Sequence, residues 1–119
     1  MPKVIFDHIH LASPDPKKTA EAYQKMFGAK VTIQEMAPGR VVAKVDLGGV
    51  LLLITPAREG QVGLLHFGVR TDNLKQAVTE LKADGVPFTQ DIREVRPDFK
   101  MSFLTAPENV SIELQEGSL

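Results

Sequence analysis

Apolar residues recur along this chain with two different periods, and the alternation between the periods gives the plan of the molecule. Leu74, Ala77, Val78 and Leu81 fall at i, i+3, i+4 and i+7, which is one apolar stripe of a helix. Thr71, Asp72 and Asn73 offer capping side chains at its start, and Gly85 stops it. The earlier segment repeats this plan. Asp15-Pro16 is a cap followed by a first-turn proline, Ala20, Tyr23 and Phe27 form the stripe, and Gly28 closes it.

Strand-like runs surround both helices. Val4 to Ala12 and Leu64 to Arg70 precede them with β-branched and apolar content. Lys30 to Glu35, Val41 to Leu47 and Val50 to Thr55 follow the first helix. Phe88 to Ile92, Lys100 to Thr105 and Asn109 to Gln115 follow the second. Pro38-Gly39 and Gly48-Gly49 are turn dipeptides, and the second, set between two apolar runs, predicts a two-residue hairpin. The polar, turn-rich stretch Pro56 to Gly63 joins the halves. The expected fold is α+β: two β-α-β-β-β units, about residues 3–57 and 62–116, forming a curved mixed sheet around a cleft within a single domain of residues 1–119.

Composition narrows the classes of function. Fourteen basic against fifteen acidic residues leave a formal charge of −1, which offers no electrostatic footprint for nucleic acid or an anionic membrane. No apolar run approaches the roughly 20 residues of a membrane helix. The opening MPKVIFDHIH lacks the layout of a signal peptide, and cysteine is absent, so a cytoplasmic protein is expected. Without cysteine, no thiol can serve as ligand or nucleophile.

Candidate chemistry rests on three histidines and one glutamate. Gly85 lies 57 positions after Gly28 and His66 lies 58 after His8, so with a one-residue length change in the connection two of the histidines hold equivalent places in the two units. The glycines set this register without reference to histidine. With three histidines in 119 residues, a chance match at a given position is a few-percent event. Strand alternation puts His8 and His10 on one face and leaves Ile9 and Leu11 for the helix side. The same rule gives His66 and Gly68 one face, with Phe67 and Val69 behind. Glu113, Ser111 and Gln115 share a face while Ile112 and Leu114 point away. If both units fold around one cleft, His8, His66 and Glu113 can meet on a divalent metal with positions left open for water and substrate. Half-buried histidines bonded to backbone, and a solvent-facing Glu113, are the plain alternatives.

These segments resemble the vicinal oxygen chelate superfamily, which contains glyoxalase I, methylmalonyl-CoA epimerase, extradiol dioxygenases and the fosfomycin and bleomycin resistance proteins. The resemblance is carried by FDHIHLASPDPKKTAEAYQKMFGAKV, LLHFGVRTDNLKQAVTELKADGVPF and FLTAPENVSIEL, which with the intervening strands cover nearly the whole chain. It implies that His8, His66 and Glu113 are metal ligands for Fe, Zn, Ni, Co or Mn. It also implies a homodimer. One departure concerns Leu53, which lies 60 positions before Glu113 in the equivalent last strand and stands where glyoxalase I and the epimerases place a glutamate or glutamine ligand. Leucine neither binds metal nor moves a proton, so the isomerase reading weakens and the two-His-one-carboxylate set looks like that of extradiol dioxygenases. The closing segment also differs, with TAPEN where an Asp-Pro-Asp-Gly turn often sits.

His10 is the candidate catalytic residue for the role Leu53 lacks, as a fourth ligand, a proton-transfer group or a substrate contact. A packed strand histidine is its plain alternative. Tyr23 belongs to the helix stripe and reads as core; Arg40, Arg70, Arg96 and Lys100 could meet an anionic substrate, and solvated surface positions explain them as well. The expected activity is that of a divalent-metal-dependent enzyme of the glyoxalase or dioxygenase type, a lyase, isomerase or extradiol-type dioxygenase, acting on a small oxygenated metabolite. The competing reading is a non-catalytic protein that sequesters an antibiotic, with Leu53, Leu51 and Val45 lining an apolar pocket.

Overall fold

A computed structural model of the chain describes residues 2–119. The elements run β1 (Ile5–Ser13), α1 (Pro16–Phe27), β2 (Lys30–Ala37), β3 (Arg40–Leu47), β4 (Val50–Pro56), β5 (Gly63–Arg70), α2 (Leu74–Ala83), β6 (Phe88–Arg96), β7 (Phe99–Ala106) and β8 (Val110–Glu116). A short 3-10 turn, Pro107–Asn109, leads into β8. Eight strands and two helices thus repeat strand, helix and three strands twice, the β-α-β-β-β duplication that the periodicity implies. Residues 8–65 form one compact unit; residues 66–119, with residues 2–7, form the other.

In the unit of residues 8–65 the strands lie in the order β2-β3-β4-β1. β1 and β4 run parallel, and β2, β3 and β4 are antiparallel neighbours. The β3–β4 turn is two residues long, Leu47 pairing with Val50, and both Gly48 and Gly49 adopt positive φ. A two-residue turn of that hand matches the strand twist and excludes residues with a Cβ at little strain, so the glycine pair fixes the register. α1 begins at Asp15, whose side chain accepts from the Lys18 backbone N–H, and closes on Gly28 in the left-handed conformation. Its inner face meets β2, β3 and β4. Ala20, Ala29, Ala43, Val45, Leu52 and Ile54 form the core there, with Ile9, Leu11 and Tyr23 packed against it. Phe27 departs from the expected stripe. It sits in the last turn, with its ring centroid 6.3 Å from that of Tyr23, and is 68% exposed.

The other unit orders its strands β5-β8-β7-β6, with β5 and β8 parallel and β8-β7-β6 antiparallel. α2 is capped by Asn73, whose side chain accepts from the Gln76 backbone N–H. Its core joins Leu74, Ala77, Val78, Leu104 and Leu114, with Val69, Leu81, Val86, Phe88 and Ile112 around them. β6 runs to Arg96, four residues past the expected end at Ile92. The charged run Arg93-Glu94-Val95-Arg96 lies largely exposed and is held by pairing with β7. The first residues of β1 belong to this unit: Phe6 stacks on Phe67 with ring centroids 6.0 Å apart, and Asp7 pairs with Arg70 at 3.5 Å.

Candidate metal centre

Each unit carries two of the four candidate residues, on the sheet face opposite its helix. In the unit containing β5 and β8, Glu113 is directly opposed by Gly68 on one side and by Phe103 on the other. Directly opposed residues share a face, and alternation puts His66 on that face with Gly68. Ile112 and Leu114 point into the α2 core, as expected. The His66 Nε2 and Glu113 Oε1 atoms are 3.8 Å apart, and the side chains are only 9% and 7% exposed. The Phe103 ring meets the His66 imidazole edge-on at 4.9 Å and walls it on one side.

That spacing is wider than a hydrogen bond. Two ligand atoms on one tetrahedral metal, each about 2.0–2.2 Å from it, are separated by roughly 3.4 Å. His66 and Glu113 therefore stand within a few tenths of an ångström of the span that a shared cation requires. A buried carboxylate beside a buried imidazole is also the donor chemistry that binds borderline divalent ions.

In the unit containing β1 and β4, His8 is 3% exposed and His10 half-buried, with their rings 6.1 Å apart on one face. His8 is opposed by Leu51, and His10 by Leu53. His10 exchanges a 2.7 Å hydrogen bond between Nε2 and the Thr55 hydroxyl, and Thr55 is itself buried. That bond fixes the ring's rotation. The two units correspond in detail: His10 opposes Leu53 where Gly68 opposes Glu113. Leu53 therefore occupies in this unit the place that Glu113 holds in the other, as the sequence offset implies, and His10 the place that Gly68 holds there.

One expected lining residue is corrected. Val45 does not share the face of Leu51 and Leu53, because the β3–β4 register opposes it to Leu52 and turns it into the α1 core. Lys44 opposes Leu53 instead, and alternation puts the buried Val42 on that face beside it. Sequence reasoning also missed Thr55 and Phe103. Both follow from strand register, which fixes who stands opposite whom and which no single segment encodes. Of the cations weighed in the sequence, Arg70 reaches Asp7, Arg96 reaches Asp98 and the Ser118 carbonyl, and Lys100 reaches Glu116. Among the described residues, no helix is long and apolar enough to cross a membrane.

Residues 7–103 match the Glyoxalase/Bleomycin resistance protein/Dioxygenase superfamily. The chain belongs to this superfamily. Solved structures of the same fold include a hypothetical protein from Bacillus halodurans C-125, with a TM-score of 0.79 at 19% identity, covering 98% of this chain and 96% of that one. A methylmalonyl-CoA epimerase in complex with methylmalonyl-CoA and NH4+ superposes with a TM-score of 0.72 at 22% identity, covering 95% and 94%. Methylmalonyl-CoA epimerase from Mycobacterium tuberculosis gives 0.70 at 20% identity, covering 96% and 88%. At these identities the likeness establishes the fold. Superfamily membership, not these individual neighbours, aligns the chain with glyoxalase-type chemistry.

Proposed function

We propose that this chain is a divalent-metal-dependent enzyme in which His8, His66 and Glu113 hold one cation and a small oxygenated substrate approaches it through neighbouring oxygens. The observation that carries the reading is the buried His66–Glu113 pair, spaced for a shared ligand, on a strand face of a superfamily member. A bound cation would polarise a substrate oxygen and stabilise negative charge developing on it.

The protein's own residues supply the rest. His10, oriented through Nε2 by Thr55, is proposed as the group that takes a proton from the substrate or returns one to it. A carboxylate at the position of Leu53 would have offered a second proton-transfer group, and leucine removes it. The proposed reaction therefore uses a single imidazole to shift a proton next to a carbonyl, in the manner of an isomerase. The proposed enzyme acts as a homodimer.

A second reading is favoured by the apolar character of Leu51, Leu53 and Val42 beside the histidines. It is a sequestering protein whose ligand is held by contact alone. Metal content separates the two readings. Protein purified without chelator is expected to carry about one divalent ion per chain, and His66→Ala to lose it. Metal-free protein whose ligand affinity ignores chelation would overturn the enzyme reading in favour of sequestration.

A further inference from the structure

In the unit of residues 8–65, Lys44 is half-buried at the middle of β3. Its neighbours Ala43 and Val45 both enter the α1 core, so alternation turns Lys44 to the opposite face, the face of His8 and His10. Register sets it in one row across the sheet, where Thr32, Lys44, Leu53 and His10 oppose one another in turn. The row changes character along its length. Thr32 is exposed and Leu53 is 5% exposed, so Lys44 stands where solvent gives way to a buried apolar floor. Val42, two residues away on the same strand and face, is 1% exposed and extends that floor.

The charges on this face of β1 to β4 are predominantly positive. Register and alternation put Lys30, Arg40 and Lys44 on it against a single carboxylate, Asp46. The Asp46 Oδ1 accepts the Gly49 backbone N–H at 2.7 Å, which ties that carboxylate to the β3–β4 turn. Leu53 adds no negative charge, whereas Glu113 does at the equivalent place in the other unit. Lys30 and Arg40 are exposed, and Lys44 alone of the three is half-buried beside the histidine row. A lysine in that position favours a negative charge beside it, and an apolar floor makes their attraction stronger than that of a fully solvated pair.

We propose that the Lys44 ammonium receives a carboxylate of the substrate, which is then a short carbonyl compound bearing a negative charge. This rests on the metal-centred reading above and adds the substrate's charge to it. Lys44 and His10 are two strand spacings apart, about 9.5 Å between backbones. A lysine stem and an imidazole stand on either side of Leu53, and the space left between their polar ends is that of a few bonds. The substrate therefore keeps its ionisable C–H beside His10 and its carboxylate carbon about three bonds from the carbonyl carbon that the cation polarises. The flexible lysine stem lets the ammonium follow the carboxylate.

The test uses Co(II)-loaded protein and two hydroxamates, succinic monohydroxamate and its carboxamide counterpart, with affinities read by titration calorimetry. The two share a chelating head and a length and differ in a carboxylate against a neutral amide. Wild type is expected to bind the carboxylate at least about tenfold more tightly, the worth of one charge-assisted hydrogen bond. Lys44→Met is expected to bring the two within about twofold with Co(II) affinity unchanged, and Lys44→Arg to restore most of the preference. Lys30→Met, which removes an exposed cation from the same face, is expected to leave the preference intact. Equal binding of the two compounds by wild type overturns the proposal without any variant. So does a preference that survives Lys44→Met, the mark of a purely structural lysine, or one that Lys30→Met abolishes equally, the mark of a diffuse field. Failure of Co(II) to bind at all overturns the metal-centred reading and this proposal with it, whereas lost discrimination on a normally loaded protein overturns this proposal alone.

Discussion

Replacing Leu114 by alanine tests the alternation that places the candidate site. Leu114 lies between Glu113 and Gln115 and is fully buried in the core formed by Leu74, Ala77, Val78 and Leu104. Truncating a fully buried leucine removes its transfer free energy and leaves a cavity, together about 2.7–5.0 kcal/mol. A domain of 119 residues has a total stability of about 6–18 kcal/mol, so the loss is a large fraction of it. With an unfolding entropy of about 2.1 cal/mol/K per residue, the melting temperature should fall by roughly 10–20 °C. Circular dichroism melts, with urea unfolding to confirm an unchanged m-value, measure it. Phe27→Ala is the control: the residue belongs to an apolar helical stripe in the sequence but is 68% exposed, and its loss should stay within about 0.5 kcal/mol. A Leu114→Ala cost below about 1 kcal/mol, or a Phe27→Ala cost equal to it, would refute the assignment of faces.

Other consequences are open to direct measurement. Asn73→Ala removes the side chain that accepts from Gln76 N–H at the start of α2 and should cost about 0.5–2 kcal/mol in urea titrations. Glu108 holds a φ of 64° in the turn before β8, so Glu108→Gly should stabilise the protein by about 0.5–1 kcal/mol, read as a raised melting temperature. The Asp98 carboxyl is held below its usual range chiefly by the hydrogen bond from Arg96 and then by that guanidinium's charge. A depressed carboxylate contributes stability that is present above its unfolded value and lost as pH falls through the folded one. In an NMR titration, Arg96→Ala should return Asp98 toward the ordinary value of 3.8. Divalent-metal affinity should fall as pH is lowered, because protons compete for the imidazole and carboxylate atoms of His8, His66 and Glu113; a pH-independent affinity would argue against these ligands.

Much of the fold was legible because periodicity and turn chemistry are local. The stripe of Leu74, Ala77, Val78 and Leu81, the Asp15-Pro16 cap and the Gly48-Gly49 hairpin each act over a few residues, and the structure has all three. The equivalence of Leu53 and Glu113 was legible too, since duplication lets one half serve as a ruler for the other. What was not legible depends on register across strands. Val45 and Val42 are both apolar β3 residues, and only the pairing of Val45 with Leu52 decides which of them faces the helix. The partnership of His10 with Thr55, and of His66 with Phe103, has the same origin. Phe27 misled because a stripe records spacing and not how far each position is covered.

The central claim is that His8, His66 and Glu113 share one divalent cation, and crystals grown with Co(II) or Zn(II) test it most directly through an anomalous difference map at the metal's absorption edge. The account predicts one strong peak per chain, about 2.0–2.2 Å from a ring nitrogen of His8, a ring nitrogen of His66 and a carboxylate oxygen of Glu113, absent from His66→Ala crystals grown alike. A map without a peak at these residues, or with its peak on other side chains, would contradict it.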